Sequence, residues 1–385
     1  MNSLRESIRE LLPKIAANAE TAEREAMVPK ENVALLREVG FFKALQPREY
    51  NGKELEFHEY AECLVDIAEA CASTAWACGL LANHSHGIAL FDKKLQQEIW
   101  GENPDVLVSS SVAPLGKWEK VDGGIELSGR FGWSSGCDHA DWAVLGYLGK
   151  NDMGQPGPCF AVVPRSDYEI LEDWDTSALR GTGSKTLVVE KAFVPDYRCE
   201  SLFALNYGLS RGYGSNKGYI YCTPFSPIFS LGFAAVALGI GRRFIQLFTE
   251  KTKSRVRAYT GAKVVDTAAA QMRLAESVNQ ITAAQSLLRN DWKGINDRAA
   301  TRELPSMDEV LDWRCHQSYA IKMTIEAVDR LFAASGGGAW FNSNEMQRLF
   351  RDVHITGAHA QTDFDIAAQT YGRHLLGLPM DSKHY

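Results

Sequence analysis

The segment GIELSGRFGWSSGCDHADWAVLGYL, residues 124–148, contains two β-strand patterns joined by a polar connection. Apolar and other side chains alternate at its two ends, as they do in strands that bury one face. Between those ends, residues 129–142 bring together two indoles, two hydroxyls, a thiol, an imidazole and two carboxylates. An ordinary turn needs none of this chemistry, so the connection is a candidate functional site.

The same two-residue period continues on both sides of this segment and defines a central β-region. Short patterns rich in valine and aromatic residues lie between about residues 105 and 196, namely VLVSSSV, KWEKV, CFAVVP and TLVVE. Many short strands separated by turn residues are typical of all-β architectures. This region is therefore predicted to form an antiparallel β-barrel or sandwich.

Both ends of the chain show the spacing of three and four residues that is typical of helices. Near the N-terminus, Ser3 with Glu6 and then Pro29 mark helix starts. Long amphipathic patterns near the C-terminus predict a four-helix bundle, with members at 228–259, 264–295, 308–335 and 345–374. We therefore expect an N-terminal helical domain (1–104), a central β-domain (105–215) and a C-terminal helical bundle (216–385).

The composition excludes several classes of partner and location. A formal charge of -7 without any long basic run argues against nucleic acid. The longest apolar run, 229–240, contains glycines and is shorter than the roughly 20 residues that a membrane span needs. The eight cysteines form no CxxC pair and follow no basic, apolar leader, which predicts reduced thiols in a cytoplasmic protein.

The order of helices, small β-domain and helical bundle resembles the acyl-CoA dehydrogenase fold. Three motifs carry this resemblance: WSSG at 133–136, LRGTGSKTLVVEKAFVP at 179–195 and LFAASGGGAWFNSNEMQRLFRDVHI at 331–355. The resemblance implies a mainly α protein with a central β-domain. The segment 331–355 resembles one that reaches a flavin across a subunit interface, which implies a homotetramer.

Within that superfamily, four further motifs resemble the two-component flavin-dependent aromatic monooxygenases. They are CASTAWACGLLANHSH (71–86), SSSVAP (109–114), GWSSGCDHADW (132–142) and YGRHLLGLP (371–379). Among them, the sequence resembles first the oxygenases that hydroxylate the phenolic A-ring of a secosteroid, and next those that hydroxylate p-hydroxyphenylacetate. The resemblance implies reduced FMN or FAD delivered by a separate NAD(P)H-dependent flavin reductase. It also implies reaction of O2 at flavin C4a and transfer of one oxygen atom to a small aromatic phenol.

Such chemistry needs an apolar wall and a hydroxyl that holds the proton on flavin N5. Trp133 is the candidate for the wall and Ser135 for the hydroxyl. On a regular strand these two residues lie on the same face, since they are two positions apart. The resemblance places Ser135 near N5 and Ser110 close to it.

The transfer also needs a base, because phenolate reacts better than phenol with an electrophilic oxygen. His84 is the first candidate, because it follows an apolar helical run and lies in a segment that resembles the substrate side of the family's site. His86 lies about 200° further round a helix, so both histidines cannot face one pocket. His359 is the second candidate. Neither His84 with His86 nor His354 with His359 has the spacing of a helical metal site, so no metal is expected.

Three arginines are candidates for binding the flavin phosphate in an acidic protein. Arg255 and Arg257 lie where the family carries basic residues that contact flavin, and Arg351 lies in the segment that resembles the interface. The run GTGSK at 181–185 lacks the spacing of a nucleotide fingerprint, so we interpret it as a turn that leads into TLVVE.

Two other functions remain open from the sequence. An acyl-CoA dehydrogenase or oxidase would use a glutamate base, and TGAHAQTD at 356–363 lacks one at the usual position. A flavin-free binding protein on the same fold is the second alternative. The choice between FMN and FAD and the identity of the ring substrate also remain open.

Overall fold

Six helices form the N-terminal part of the chain, and the computed structural model describes residues 3–151 and 153–379. Ser3 begins the first helix through the predicted capping box, in which its hydroxyl accepts from Glu6 N and its own N–H donates to Glu6 Oε2. Pro29 precedes the third helix, as predicted. The helices are α1 (Leu4–Ala17), α2 (Ala19–Glu25), α3 (Lys30–Glu38), α4 (Phe57–Ala70), α5 (Ala72–Ala89) and α6 (Lys93–Trp100).

A seven-stranded sheet follows, in the region where the two-residue period predicted strands. The strands are β1 (Val108–Val121), β2 (Gly124–Ser134), β3 (Trp142–Lys150), β4 (Pro156–Pro164), β5 (Glu169–Leu171), β6 (Lys185–Pro195) and β7 (Cys199–Ser201). Their order across the sheet is β5-β6-β2-β1-β3-β4-β7. A 3₁₀ turn at Arg180–Thr182 precedes β6.

The sheet is mixed, which corrects the prediction of a wholly antiparallel β-domain. β1 and β2 form an antiparallel hairpin, but β1 and β3 pair in parallel from Val108 opposite Trp142. The reason is topological. The chain reverses direction once between β1 and β2 and again between β2 and β3, so β3 runs in the same direction as β1. Because β3 lies on the side of β1 away from β2, these two strands pair in parallel. The connection between β2 and β3 therefore returns the chain to the start of β1.

The C-terminal region is helical, as predicted, but its fourth predicted helix is divided in two. The short helix α7 (Leu202–Asn206) precedes the long helices α8 (Phe225–Ser254), α9 (Ala268–Ala300) and α10 (Met307–Ala333). The stretch 345–374 forms α11 (Glu345–Thr356) and α12 (Phe364–Leu375), because Asp363 caps a new helix with its carboxylate. α11 packs on α8 and α10 as the fourth member of the bundle, and α12 packs on α10.

α8 is the central helix of the protein. By length and composition it could cross a membrane, but 78% of its most apolar window is buried inside the protein, which identifies it as a core helix. It packs on α4 and α5 from the N-terminal part and on α9, α10 and α11 from the C-terminal part. One hydrophobic core therefore joins both helical regions. The domain boundaries at 104/105 and 215/216 stay predictions.

Candidate active site

His84 lies on α5 at the point where this helix meets the first residues of β1. Its side chain is buried, and its Nδ1 lies 2.7 Å from Val108 O. A carbonyl oxygen only accepts hydrogen bonds, so Nδ1 carries the hydrogen and Nε2 has a free lone pair in the neutral ring. Ser110 Oγ lies 2.9 Å from Nε2 and donates to it. The structure therefore brings together two predicted site residues, with His84 in the tautomer of a proton acceptor.

Burial decides the protonation state of His84. Desolvation lowers its pKa to about 4, and the hydrogen bond to Val108 O offsets only part of this effect. Phe229 of α8 stacks on the ring with a centroid distance of 6.3 Å. At neutral pH the imidazole is therefore uncharged.

His86 points to different neighbours, which confirms the prediction that it does not share a pocket with His84. Its Nε2 donates to Ile220 O over 3.1 Å, and its ring packs against Phe57 and Tyr221. Within residues 3–151 and 153–379, no group of three or more His, Cys, Asp and Glu side chains could hold a metal ion.

Ser135 lies just after β2, in a buried cluster of hydroxyls. Its Oγ accepts from the indole Nε1 of Trp76 on α5 over 3.3 Å and lies 2.7 Å from Ser184 Oγ. The side chain of Ser135 is buried. A hydroxyl oxygen has two lone pairs, so Ser135 keeps one acceptor position beyond its contact with Trp76.

The prediction that Trp133 and Ser135 lie on the same face of a regular strand is wrong. Trp133 has a φ of 66°, and the pairing of β2 with β6 shifts register between Phe131 and Ser134. Its indole is 66% exposed, whereas Ser135 is buried. The left-handed backbone at Trp133 rotates its side chain away from the strand alternation.

The exposed indole of Trp133 nevertheless fits a flat ring. It meets Trp174 at a nearly perpendicular ring angle, with a centroid distance of 5.2 Å. A left-handed conformation is strained for a bulky residue, and such strain clusters at functional sites. An accessible indole two residues from a buried hydroxyl acceptor suits a flavin, which combines an apolar ring with a polar N5.

His359 lies in the turn between α11 and α12, against an aromatic cluster. Its ring centroid is 4.3 Å from Phe233, 5.9 Å from Phe229 and 6.4 Å from Trp76. Its Nδ1 accepts from Gln361 N, so the neutral ring carries its hydrogen on Nε2. Desolvation among these rings lowers the pKa of His359. His359 is therefore neutral at pH 7 and presents a donor at Nε2.

Sequence reasoning missed the aromatic wall that joins His84 to His359. Phe225, Phe229 and Phe233 follow each other at intervals of four residues on α8. The ring of Phe229 contacts the ring of Phe225 on one side and the ring of Phe233 on the other. Residues four apart lie on the same face of a helix, so the pattern FSPIFSLGF could have revealed this wall. Trp76 completes it at 4.6 Å from Phe233.

Two of the three predicted phosphate-binding arginines contact other parts of the protein, and the third is exposed. Arg255 donates to Ala334 O over 2.7 Å, in the loop that follows α10. Arg351 forms an ion pair with Glu23 of α2 over 2.7 Å. Arg257 is exposed in a turn that the bridge between Val256 and Lys263 closes. A role of these arginines toward flavin stays a prediction.

Comparison with known proteins gives matches at both ends of the chain and over its full length. Residues 2–100 match the N-terminal domain and residues 231–364 the C-terminal domain of acyl-CoA dehydrogenases. The chain is 48% identical over 380 residues to the oxygenase component of p-hydroxyphenylacetate 3-hydroxylase from Acinetobacter baumannii, covering 98% of this chain and 90% of that protein. It is 37% identical over 376 residues to HsaA, the oxygenase subunit of a flavin-dependent monooxygenase from Mycobacterium tuberculosis, covering 97% and 95%.

Solved structures give the same result. The crystal structure of 3-HSA hydroxylase from Rhodococcus sp. RHA1 superposes with a TM-score of 0.94 at 34% identity, covering 100% of this chain and 99% of that one. XiaF from Streptomyces sp., solved in complex with FADH2 and glycerol, gives 0.90 at 25% identity, covering 98% and 96%. The protein therefore belongs to the acyl-CoA dehydrogenase-fold family of two-component flavin monooxygenases, as an oxygenase component.

Proposed function

We propose that this aromatic monooxygenase hydroxylates a phenol at the carbon ortho to its hydroxyl group. The observation that carries the proposal is the buried pair of His84 and Ser110, in which Nε2 accepts from Oγ over 2.9 Å beside an aromatic wall. A reduced flavin held by Trp133 and Ser135 would supply the oxygen atom, activated from O2, that the ring receives. The protein must bind the phenol, remove its proton and exclude water.

His84 and Ser110 supply the proton acceptor. A phenol that donates to Ser110 Oγ passes its proton along the existing bond from Ser110 to His84 Nε2, while Nδ1 stays bound to Val108 O. Burial lowers the pKa of the imidazole to about 4, which makes proton transfer from the phenol unfavourable unless the charged imidazolium is stabilised. The phenolate that forms beside the imidazolium stabilises it, because an adjacent opposite charge favours the charged form.

Phe229, Phe233 and Trp76 provide an apolar wall that positions an aromatic ring and excludes water. His359 lies on the same wall and presents its Nε2–H as a donor. We assign it to the hydroxyl group of the substrate or to the oxygen that is transferred. Exclusion of water strengthens each of these hydrogen bonds.

The substrate and the flavin are proposed at the level of class. The relative at 48% identity is named for p-hydroxyphenylacetate, which favours a single-ring phenol over the larger secosteroid phenol as the first compound to test. XiaF was solved with FADH2, which supports FADH2 as the first flavin to compare with FMNH2. A separate NAD(P)H-dependent reductase supplies either flavin, and the eight free thiols suit the cytoplasm.

The purified protein is expected to be nearly colourless, to oxidise no NADH alone and to bind reduced flavin more tightly than oxidised flavin. Rapid mixing of the protein and reduced flavin with O2 and a phenol should give a hydroxylated product in proportion to the flavin consumed. Product analysis and anaerobic flavin titration check these expectations. A tightly bound yellow FAD that an acyl-CoA reduces would contradict the proposal.

We also infer a homotetramer, because large apolar side chains are exposed in the segment that resembles an interface and near Arg257. Trp340 is 65% and Phe341 69% exposed, and Tyr259 extends fully into solvent. Sedimentation should show four chains. Replacing Trp340 and Phe341 by serine should weaken both assembly and flavin binding, whereas the same change at the exposed Leu148 should affect neither. A monomer that keeps full activity at nanomolar concentration would refute this inference.

A further inference from the structure

Four links connect Trp76 to the turn before β6 through Ser135. Trp76 Nε1 contacts Ser135 Oγ at 3.3 Å, and Ser135 Oγ contacts Ser184 Oγ at 2.7 Å. Ser184 Oγ contacts Thr182 Oγ1 at 2.7 Å, and Thr182 Oγ1 contacts Leu179 O at 2.8 Å. The three hydroxyl side chains are 1% to 6% exposed, so their hydrogen bonds are made with each other and not with bulk water.

The two end groups fix the donor and acceptor in every hydrogen bond of this hydroxyl chain, which runs through Ser135, Ser184 and Thr182. Leu179 O only accepts, so Thr182 donates its single hydroxyl hydrogen to it. Ser184 must then donate to Thr182, and Ser135 must donate to Ser184. At the other end the indole of Trp76 only donates, so Ser135 accepts from it. Ser135 has therefore used its hydrogen and offers a ligand only a lone pair.

The turn that fixes this direction is itself anchored on two sides. Leu179 has a φ of 44°, and its N–H donates to the buried carboxylate of Asp352 on α11 over 2.6 Å. Thr182 O accepts from Gly136 N over 3.0 Å, next to Ser135. The run GTGSK is thus a turn, as expected from the sequence, whose hydroxyls are fixed relative to the β2–β3 connection.

We propose that the hydroxyl chain from Ser135 through Ser184 and Thr182 makes the protein select reduced over oxidised flavin. The inference rests on the proposed function, with Ser135 at flavin N5 as the family resemblance implies. In reduced flavin N5 carries a hydrogen and donates, which matches the lone pair of Ser135. In oxidised flavin N5 is an acceptor, so two acceptors would face each other in a buried site without a hydrogen between them. Thr182 and Ser184 are therefore specificity-determining residues that do not need to contact flavin.

The test measures the ratio of the Kd for oxidised flavin to the Kd for reduced flavin, by anaerobic titration of the full-length protein. Thr182→Val removes the acceptor for Ser184, which can then turn toward Ser135 and free the hydrogen of Ser135 for oxidised N5. The ratio should fall about tenfold, since one hydrogen bond changes from mismatched to matched. Ser184→Ala removes the direct acceptor of the Ser135 hydrogen and should lower the ratio by a similar factor. Two variants are used so that one still tests the inference if the other fails to fold.

Two controls separate the direction of the chain from a general loss of packing. Thr182→Ser keeps the hydroxyl and should retain the ratio of the unmodified protein. Thr324→Val makes the same change at a side chain that is also 1% exposed and donates to Ala320 O within α10. It should leave the ratio unchanged even if it lowers the melting temperature.

The outcomes distinguish this inference from the proposed function. If the unmodified protein binds both redox states equally, the assignment of reduced flavin is wrong and the inference falls with it. If the unmodified protein prefers reduced flavin and Ser135→Ala loses that preference, the flavin assignment stands. In that case, ratios within twofold of the unmodified protein for both Thr182→Val and Ser184→Ala would overturn the role of the chain.

Discussion

His84→Asn is expected to slow ring hydroxylation by up to about a thousandfold at pH 7. At that pH only about one phenol in a thousand is ionised, since its pKa is about 10, so a base that completes ionisation gains about that factor. The early absorbance change that follows mixing of reduced flavin with O2 should be nearly unaffected, because it precedes contact with the ring. Stopped-flow absorbance combined with product analysis by rapid quench separates the two steps.

The pH dependence distinguishes a base from a packing role. As the pH rises toward 10, ionisation in bulk water replaces the missing base and the defect of His84→Asn should shrink. In the unmodified enzyme, burial lowers the pKa of His84 to about 4, so the ring stays neutral down to that pH. The hydroxylation rate should therefore not fall between pH 7 and pH 5, where a histidine with its usual pKa of about 6.5 would become protonated.

His86→Asn is the matched control for this variant. His86 is buried on the same helix, and burial lowers its pKa to about 4 as well, but it binds Ile220 O. The control should lower the melting temperature and leave the hydroxylation rate at pH 7 unchanged. Normal hydroxylation by His84→Asn at pH 7 would exclude His84 as the base.

The sequence predicts the elements of this fold well because their signals are local. A period of two residues marked the strands, and periods of three and four marked the helices on both sides. The parallel pairing of β1 with β3 had no such signal, because the side of β1 on which β3 lies depends on the path of the whole connection. The division of 345–374 into two helices has a local signal, because Gly357 follows the end of α11 and Asp363 caps α12.

The candidate site was only partly predictable for the same physical reason. His84 and Ser110 were each found through motifs, and the structure places them 2.9 Å apart. The link between Ser135 and Ser184 spans 49 positions of sequence and exists only because β2 pairs with β6. The expectation that Trp133 and Ser135 share one face of a strand failed because Trp133 has a positive φ. A tryptophan in the sequence does not predict that backbone conformation.

Ser135→Ala is expected to keep the fold but to uncouple flavin consumption from hydroxylation. The ratio of hydrogen peroxide released to product formed should rise by roughly a hundredfold. The hydroxyl of Ser135 already donates to Ser184 and accepts from Trp76. We propose that its remaining lone pair holds the hydrogen on flavin N5. Loss of that proton allows hydrogen peroxide to leave before the ring is oxidised. Removing one such preorganised contact in a buried site costs on the order of 10² in rate.

The measurement is hydrogen peroxide released and product formed per flavin consumed, with the phenol in excess. Ser134→Ala is the matched control, because Ser134 is the adjacent residue, is fully buried and donates instead to Ser109 Oγ over 3.1 Å. Both variants lose one buried hydroxyl and should lose similar stability, but only Ser135→Ala should release more peroxide. If Ser135→Ala hydroxylates with the coupling of the unmodified enzyme, Ser135 does not hold the N5 hydrogen.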